Sequence, residues 1–317
     1  MQPGRSEADR QHVRDLEDPQ PGDRSGSSRA WPGVSALALI WGSTWLAIRL
    51  TLDVAPPLTA AALRFIVAAV ALWSWLLARG RCRPCQPPCW WRSTVMALAM
   101  FVAPYGLVYW AELHVSTGLA SVLFSSQSLF VVLIAHVALP RERPTGRQWF
   151  GVLAGLVGEA AVFHGQLRLS DGHGALGAAA VLVAAASGAL ALVWLRRLGE
   201  SLNSAHETAV QLTITALVFG VASALSTGLH APLVMDWWST KLWLAVGYLA
   251  VPGTAVAYLI YYRLARGAAA LTVSYSIFLA PVVAVLLGAL VLRERLDALQ
   301  IAGAVFVLYS MLLAEQR

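Results

Sequence analysis

Three ionisable side chains stand in or at the end of otherwise apolar runs, and any chemistry of this sequence starts with them: Arg64, Glu112 and Glu159. A charge at the depth of a hydrocarbon slab costs roughly 2.5–3.5 kcal/mol on insertion scales, so such a residue has a task or a partner. Arg64 is flanked at helical spacing by Ala60, Ala61, Ala68 and Ala71, a small-residue face that packs on other helices and turns the guanidinium inward. Two roles fit it: holding an anionic group of a solute, or a structural one, snorkelling to the surface or bonding backbone carbonyls. Glu159 lies about 16 Å along a helix from Gln148. Buried, it could take and release a proton; near the surface it would pair with His164 or Arg168. Glu112 ends a stripe with Phe101, Tyr105 and Tyr109 at i, i+4, i+8 and i+11, where it reads either as a gate or as a wetted residue.

The uncharged polar residues suggest what surrounds these groups. Tyr105 and Tyr109 carry hydroxyls that need partners when buried, which makes them better cavity candidates than Phe101. Ser121, Ser125 and Ser128 line one helix face with Gln127 beside it, either as cavity lining or as helix glue. Trp41, Ser43, Thr44, Trp45, Gln211, Tyr258 and Tyr275 complete the expected substrate-binding set, while Tyr261 and Tyr262 read as interface anchors at the end of their span. Gly151, Gly155 and Gly158 form a small-residue stripe for close helix packing or for a homodimer face.

Reactive constellations are missing. There is no H-E-x-x-H, since His206-Glu207 lacks a second His at Val210, and no G-x-S-x-G. Without a P-loop, nucleotide hydrolysis is not the energy source, and no cofactor is expected. Cys82, Cys85 and Cys89 fall in one loop, but no fourth zinc ligand lies near them, so free thiols rather than a metal site are expected.

The elements that must position these residues follow from composition. Hydrophobic residues make up 58% of the 317 and charged residues 13%, about half the charged share of a soluble domain. The net charge of +6 lies between apolar runs and not in a patch, which argues for a lipid bilayer as partner and against nucleic acid. Residues 1–31 are polar and rich in Pro, Gly and Ser, without the apolar core of a signal peptide, and read as a disordered cytoplasmic tail. Ten apolar runs of roughly spanning length follow, near 32–48, 58–78, 93–112, 115–138, 148–164, 174–195, 206–226, 241–262, 268–290 and 299–315. With both termini inside, 17 basic residues fall on the cytoplasmic side and 5 on the outer side, the bias expected of a multi-pass protein of the cell membrane.

The chain also repeats itself. Arg141-Glu142-Arg143, four residues, Gln148, two residues, Gly151 returns 152 residues later as Arg293-Glu294-Arg295, Gln300 and Gly303. Thr145-x-x-Gln148 and Asp297-x-x-Gln300 are capping boxes that open a helix in each copy. Five crossings separate the copies, an odd number, so the halves are inverted. The expected fold class is therefore an all-α integral membrane protein of ten transmembrane helices in two inverted five-helix repeats. Such repeats place a site at their mid-membrane interface.

Family resemblance is carried by Trp41-Gly42-Ser43-Thr44-Trp45, by Ala61-Ala62-Leu63-Arg64-Phe65, by Tyr109-Trp110-Ala111-Glu112 with Ser116-x-Gly118-Leu119-Ala120, and by Pro281 ahead of Arg293-Glu294-Arg295. In this order they resemble the EamA-like proteins of the drug/metabolite transporter superfamily over about 32–315. The resemblance implies one EamA-like repeat over 32–164 and a second over 174–317, and a secondary carrier that exports a small organic metabolite, amino acid or drug. Ser128-Leu129 stands where the family usually has a proline like Pro281. A membrane enzyme acting on a lipid-linked substrate and a passive channel are the alternatives; neither reactive residues nor a continuous polar pore lining are seen for them.

Overall fold

The computed structural model describes residues 24–80, 87–140, 143–164, 172–198, 205–227, 237–291 and 297–315, and among these no strand occurs. The first half of the chain holds α1 (Arg24–Leu52), α2 (Pro57–Ala78), α3 (Pro87–Ala97), a π-helical turn (Leu98–Val102), α4 (Ala103–Ala111), α5 (Thr117–Ser125), α6 (Gln127–Ala138) and α7 (Gly146–Val162). The second holds α8 (Gly172–Leu198), α9 (Ala205–Thr227), α10 (Thr240–Ala250), a second π-helical turn (Val251–Val256), α11 (Ala257–Gly267), α12 (Ala270–Val291) and α13 (Ala298–Glu315). The stretches α3 to α4 and α10 to α11 run on through their π turns as single rods, and α5 continues into α6 past Ser126.

Among the described residues, eight helical stretches are long and apolar enough to cross a bilayer. Of the ten spans expected, the fifth and tenth fall short: α7 has 17 residues, and α13 contributes a shorter apolar stretch, Ala298–Ala314. Both still present apolar outer faces, Phe150, Leu153 and Val157 on α7 and Ile301, Val305 and Leu312 on α13. Such faces suit lipid, and the whole is an all-α membrane protein. A second difference concerns the amino-terminal tail. Helix α1 begins at Arg24, ahead of the expected boundary at residue 32, and Pro32 lies inside it. Packing carries the helix through: Ala30 and Val34 are buried, and the Trp31 ring stacks on Tyr275 at 6.2 Å. Residues 1–23, Cys82, Cys85, Arg141, Glu142, Arg168 and 293–295 lie outside the described residues.

Both capping boxes form. The Thr145 N–H donates to Gln148 Oε1 at 2.8 Å while Gln148 N–H donates to Thr145 Oγ1 at 3.4 Å. Asp297 and Gln300 exchange the same pair of bonds at 3.0 and 2.8 Å. Each pair satisfies two orphan donors of a helix start, so the repeated motif is a repeated structural joint.

Packing follows the duplication. Helix α1 lies along α12 and touches α10 and α11; its counterpart α8 lies along α5 and α6 and touches α4 and the first π turn. The mates α2 and α9 pack on each other, as do α7 and α13. The second of these seams explains the glycine stripe. A Cβ at Gly151 would come 2.5 Å from the Ala314 Cβ, one at Gly155 2.1 Å from Phe278 Cζ, and one at Gly303 2.6 Å from the Gly158 carbonyl oxygen. The stripe is thus occupied within the chain.

The fourth rod breaks without a proline. Ser126 Oγ donates to the Leu123 carbonyl at 2.6 Å and Ser125 Oγ to the Ser121 carbonyl at 3.0 Å, so hydroxyls occupy carbonyls that the helix ladder would use. Back-bonding of this kind bends helices. In the second repeat, α12 instead runs unbroken past Pro281.

Candidate functional site

Arg64 is only 1% exposed, two turns into α2, and the second repeat holds it in place. Its Nε–H donates to Thr254 Oγ1 at 2.8 Å, and Nη2 donates to the Gly253 carbonyl at 3.3 Å. Both acceptors belong to the π turn between α10 and α11. There the Thr254 hydroxyl donates onward to the Leu249 carbonyl at 2.7 Å, tying the widened turn together while its oxygen accepts from the arginine. Turns of this type concentrate at functional positions because they turn backbone groups out of the ladder. Gly253 is needed for the close approach: a Cβ there would meet Thr44 Cγ2 at 3.0 Å and lie 3.8 Å from Arg64 Nη2.

The guanidinium lies over the Tyr105 ring, with Cζ 4.5 Å from the ring centroid, and Nη2 reaches the Tyr105 hydroxyl at 3.5 Å. Tyr105 and Tyr258 bring their hydroxyls to 3.1 Å of each other, one from each repeat. Nη1 is buried without a hydrogen bond of normal geometry, and the Tyr109 hydroxyl, also without one, lies close enough to act on the guanidinium.

These groups border a cavity lined from both repeats. Trp41, Thr44, Trp45, Arg64, Tyr105, Gln127 and Tyr258 of the expected set all line it. Trp41 packs on Tyr258 and Tyr261 at 5.7 and 5.5 Å, and Trp45 meets Phe124 edge-on at 6.0 Å. Gln127 has room because residue 188 is glycine: a Cβ there would lie 2.6 Å from Gln127 Oε1.

Four expected residues are placed elsewhere. Ser43 bonds its own helix at the Leu39 and Ile40 carbonyls and meets the Tyr248 hydroxyl. Gln211 Oε1 accepts from the Tyr262 hydroxyl at 2.5 Å, and Tyr275 packs in a second core cluster with Phe278 and Met311. Tyr109 is buried behind the lining. The reading of Tyr261 and Tyr262 as interface anchors is corrected: both are almost fully buried, and Tyr261 faces the cavity. Their helix has one strongly apolar-packed face, and both rings fall on it beside Trp41 and Tyr258.

The two acidic candidates are buried apart from the lining. Glu112 follows the last turn of α4, 1% exposed; Arg49 Nη1 donates to its backbone carbonyl at 3.4 Å, and its carboxylate is faced by Arg49 and the Thr117 hydroxyl. Glu159 sits on α7 with no exposure and no hydrogen bond to its carboxylate, with Ser125 of α5 the hydroxyl that faces it.

Ties between helices flank the cavity. Arg196 Nη1 donates to the Ala265 and Arg266 carbonyls at 2.8 and 3.0 Å, and Arg197 Nε to the Ala138 carbonyl at 2.7 Å. One short arginine pair thereby caps the carboxyl ends of α11 and α6, where cations are favoured. At the opposite end Lys241 Nζ meets Asp53 Oδ2 at 3.1 Å.

Sequence reading missed Thr254, Gly253 and Gly188. Pro252-Gly253-Thr254, two helix breakers and a hydroxyl inside an apolar run, was the available signal for the first two. Gly188 contributes by having no side chain, and nothing in its neighbourhood marks that.

Comparison with known proteins bears on the same residues. The EamA-like transporter family profile matches 33–163 and 175–315, one match in each half. The inner membrane transporter YedA of Escherichia coli (strain K12), itself uncharacterised, is 29% identical over 280 residues, covering 88% of each chain. The uncharacterised transporter YoaV of Bacillus subtilis (strain 168) is 25% identical over 275 residues, covering 87% of this chain and 92% of its own. A solved crystal structure shares the fold with a TM-score of 0.74 at 22% identity, over 91% of this chain and 96% of its own.

Proposed function

Because the chain belongs to the EamA-like transporter family, we propose that it is a secondary-active carrier that exports a small organic solute through the Arg64 cavity by alternating access. The observation that carries this reading is the interlock: an arginine of the first repeat is held by the π turn of the second, at a cavity lined from both halves. If one half rocks against the other, that contact is the one that must change, and the solute would be exposed to each side in turn. The charge bias supports a cytoplasmic side for both termini and for the Arg196–Arg197 tie. Lys241–Asp53 and Arg49–Glu112 would then flank the outer side, with Glu112 as a gating group.

Energy would come from a proton gradient through Glu159, a buried carboxyl with no cation against it among the described residues. Glu159→Gln is then expected to reach the membrane and still exchange solute across it, but to lose the dependence of net export on an imposed pH gradient. Unchanged proton-driven export by that variant would remove Glu159 from the mechanism.

The carrier reading itself is tested by comparing all small solutes in the medium and inside cells with and without the protein at matched growth. The expected result is at least one organic solute shifted from cell to medium, reproduced by the purified chain in proteoliposomes. No solute shifted in several hosts would overturn it.

A further inference from the structure

The hydrogen-bond balance of the cavity is one-sided. Among its lining residues, Arg64 Nη1, Trp41 Nε1 and the Tyr261 hydroxyl are buried without a hydrogen bond of normal geometry, the neutral Tyr109 hydroxyl being the group behind the lining that acts on Arg64, and each of the three can donate. Among the described residues no carboxylate lines the cavity, and the groups that act electrostatically on Arg64 are Tyr105, Tyr109 and Tyr258, each a neutral phenol. A guanidinium keeps its charge at any ordinary pH, and leaving a buried one without a counter-charge is costly. The cavity therefore lacks one negative charge and several acceptor atoms.

We infer that the solute supplies them: the Arg64 cavity takes a carboxylate on a small apolar or aromatic body, the carboxylate pairing with the Arg64 guanidinium and the body lying against Trp41, Trp45, Phe124 and Tyr258. The inference rests on the cavity being the solute's path. The number of cations decides between anions. Among the described residues Arg64 is the single charged one of the lining, which balances one carboxylate, whereas a phosphate dianion would bring a second charge with no partner. A cationic solute meets the opposite difficulty. The aromatic walls could in principle hold an ammonium, but the Tyr105 face is already covered by the Arg64 guanidinium, which would repel it. For a neutral body, the wall residues offer apolar contact and leave the arginine uncompensated.

The test uses the full chain, purified and reconstituted, with sets of three probes that share one body and differ in the head: arylalkanoic and alkanoic acids, their amides and the matching amines. Binding is read by ligand-dependent thermal stabilisation, and transport by release from proteoliposomes. At least one acid is expected to bind about tenfold or more tightly than its amide, with the amine weaker still, the ratio a charged hydrogen bond typically supplies. Arg64→Gln should abolish the preference for acid over amide. Trp41→Phe leaves the arginine and its ties untouched, so it reports even if Arg64→Gln fails to fold; it should weaken acid and amide alike, several-fold, because both carry the body that lies against Trp41. Equal binding of acid, amide and amine, binding by none of the acids, an acid preference that survives Arg64→Gln, or acid binding untouched by Trp41→Phe would overturn the inference. Neutral or cationic solutes released in preference to acids would overturn it and leave the carrier reading standing. Acids bound with the expected preference but never released would sustain it and count against the carrier reading.

Discussion

The two π turns of this protein occupy corresponding places in its two repeats, Leu98–Val102 in the third rod and Val251–Val256 in the eighth, yet they do different things. At the second turn, Gly253 and Thr254 accept from a buried arginine. At the first, the Ala99 carbonyl accepts from the Ser187 hydroxyl at 2.9 Å, and the residue 152 positions on from Arg64 is Ala216, packed in the core. The duplication thus built two openings in the backbone ladder and put a charge against only one. A symmetric fold has acquired an asymmetric site, and the asymmetry gives the cavity its single charge.

Removing the charge should have the largest effect. Arg64→Ala is expected to abolish transport while the protein still reaches the membrane, because the fold is held by helix seams such as α7 on α13 and not by this side chain. Solute release measured at matched membrane level checks this; full activity would make both π turns merely structural. A smaller effect is expected from Thr254→Val, which keeps the shape but removes both the acceptor for Arg64 Nε and the donor to Leu249. Loss of a hydrogen bond to a charged group corresponds to about tenfold or more, so transport should fall by that order with the solute preference retained. Concentration dependence of release separates this outcome from a loss of folded protein.

How much of this was legible beforehand differs by kind of residue. The joints were legible because capping chemistry is local: Thr145 with Gln148 and Asp297 with Gln300 each lie within one helical turn. Arg64 stood out because a charge in an apolar run has no other reading than burial or snorkelling. The π turns did not stand out. Leu98–Val102 is apolar throughout, and a turn widened by one residue leaves no periodic trace over five positions. Tyr261 was misread because its position near the end of a span suggested the membrane surface, whereas burial depends on which rods flank it. The interruption at Ser126 shows the limit of looking for prolines, and a back-bonding serine does not mark it by itself, since Ser274 and Ser276 bond back in the same way inside the unbroken α12.

The smallest effect should come from the other turn, and it sharpens the comparison most. Ser187 is half-buried, and its hydroxyl makes one neutral hydrogen bond to the Ala99 carbonyl. Ser187→Ala removes that bond at a net cost of about 1 kcal/mol, with no charge uncovered and no cavity-lining group displaced. A thermal unfolding midpoint lowered by a few degrees at most, with the rate and solute preference of transport unchanged, is the expected outcome. If instead Ser187→Ala lowers transport as far as Thr254→Val does, the first turn is a working part of the cycle as well. In that case the arginine does not distinguish the two halves; each would flex at its own π turn as the repeats exchange positions, and the charge would serve binding alone.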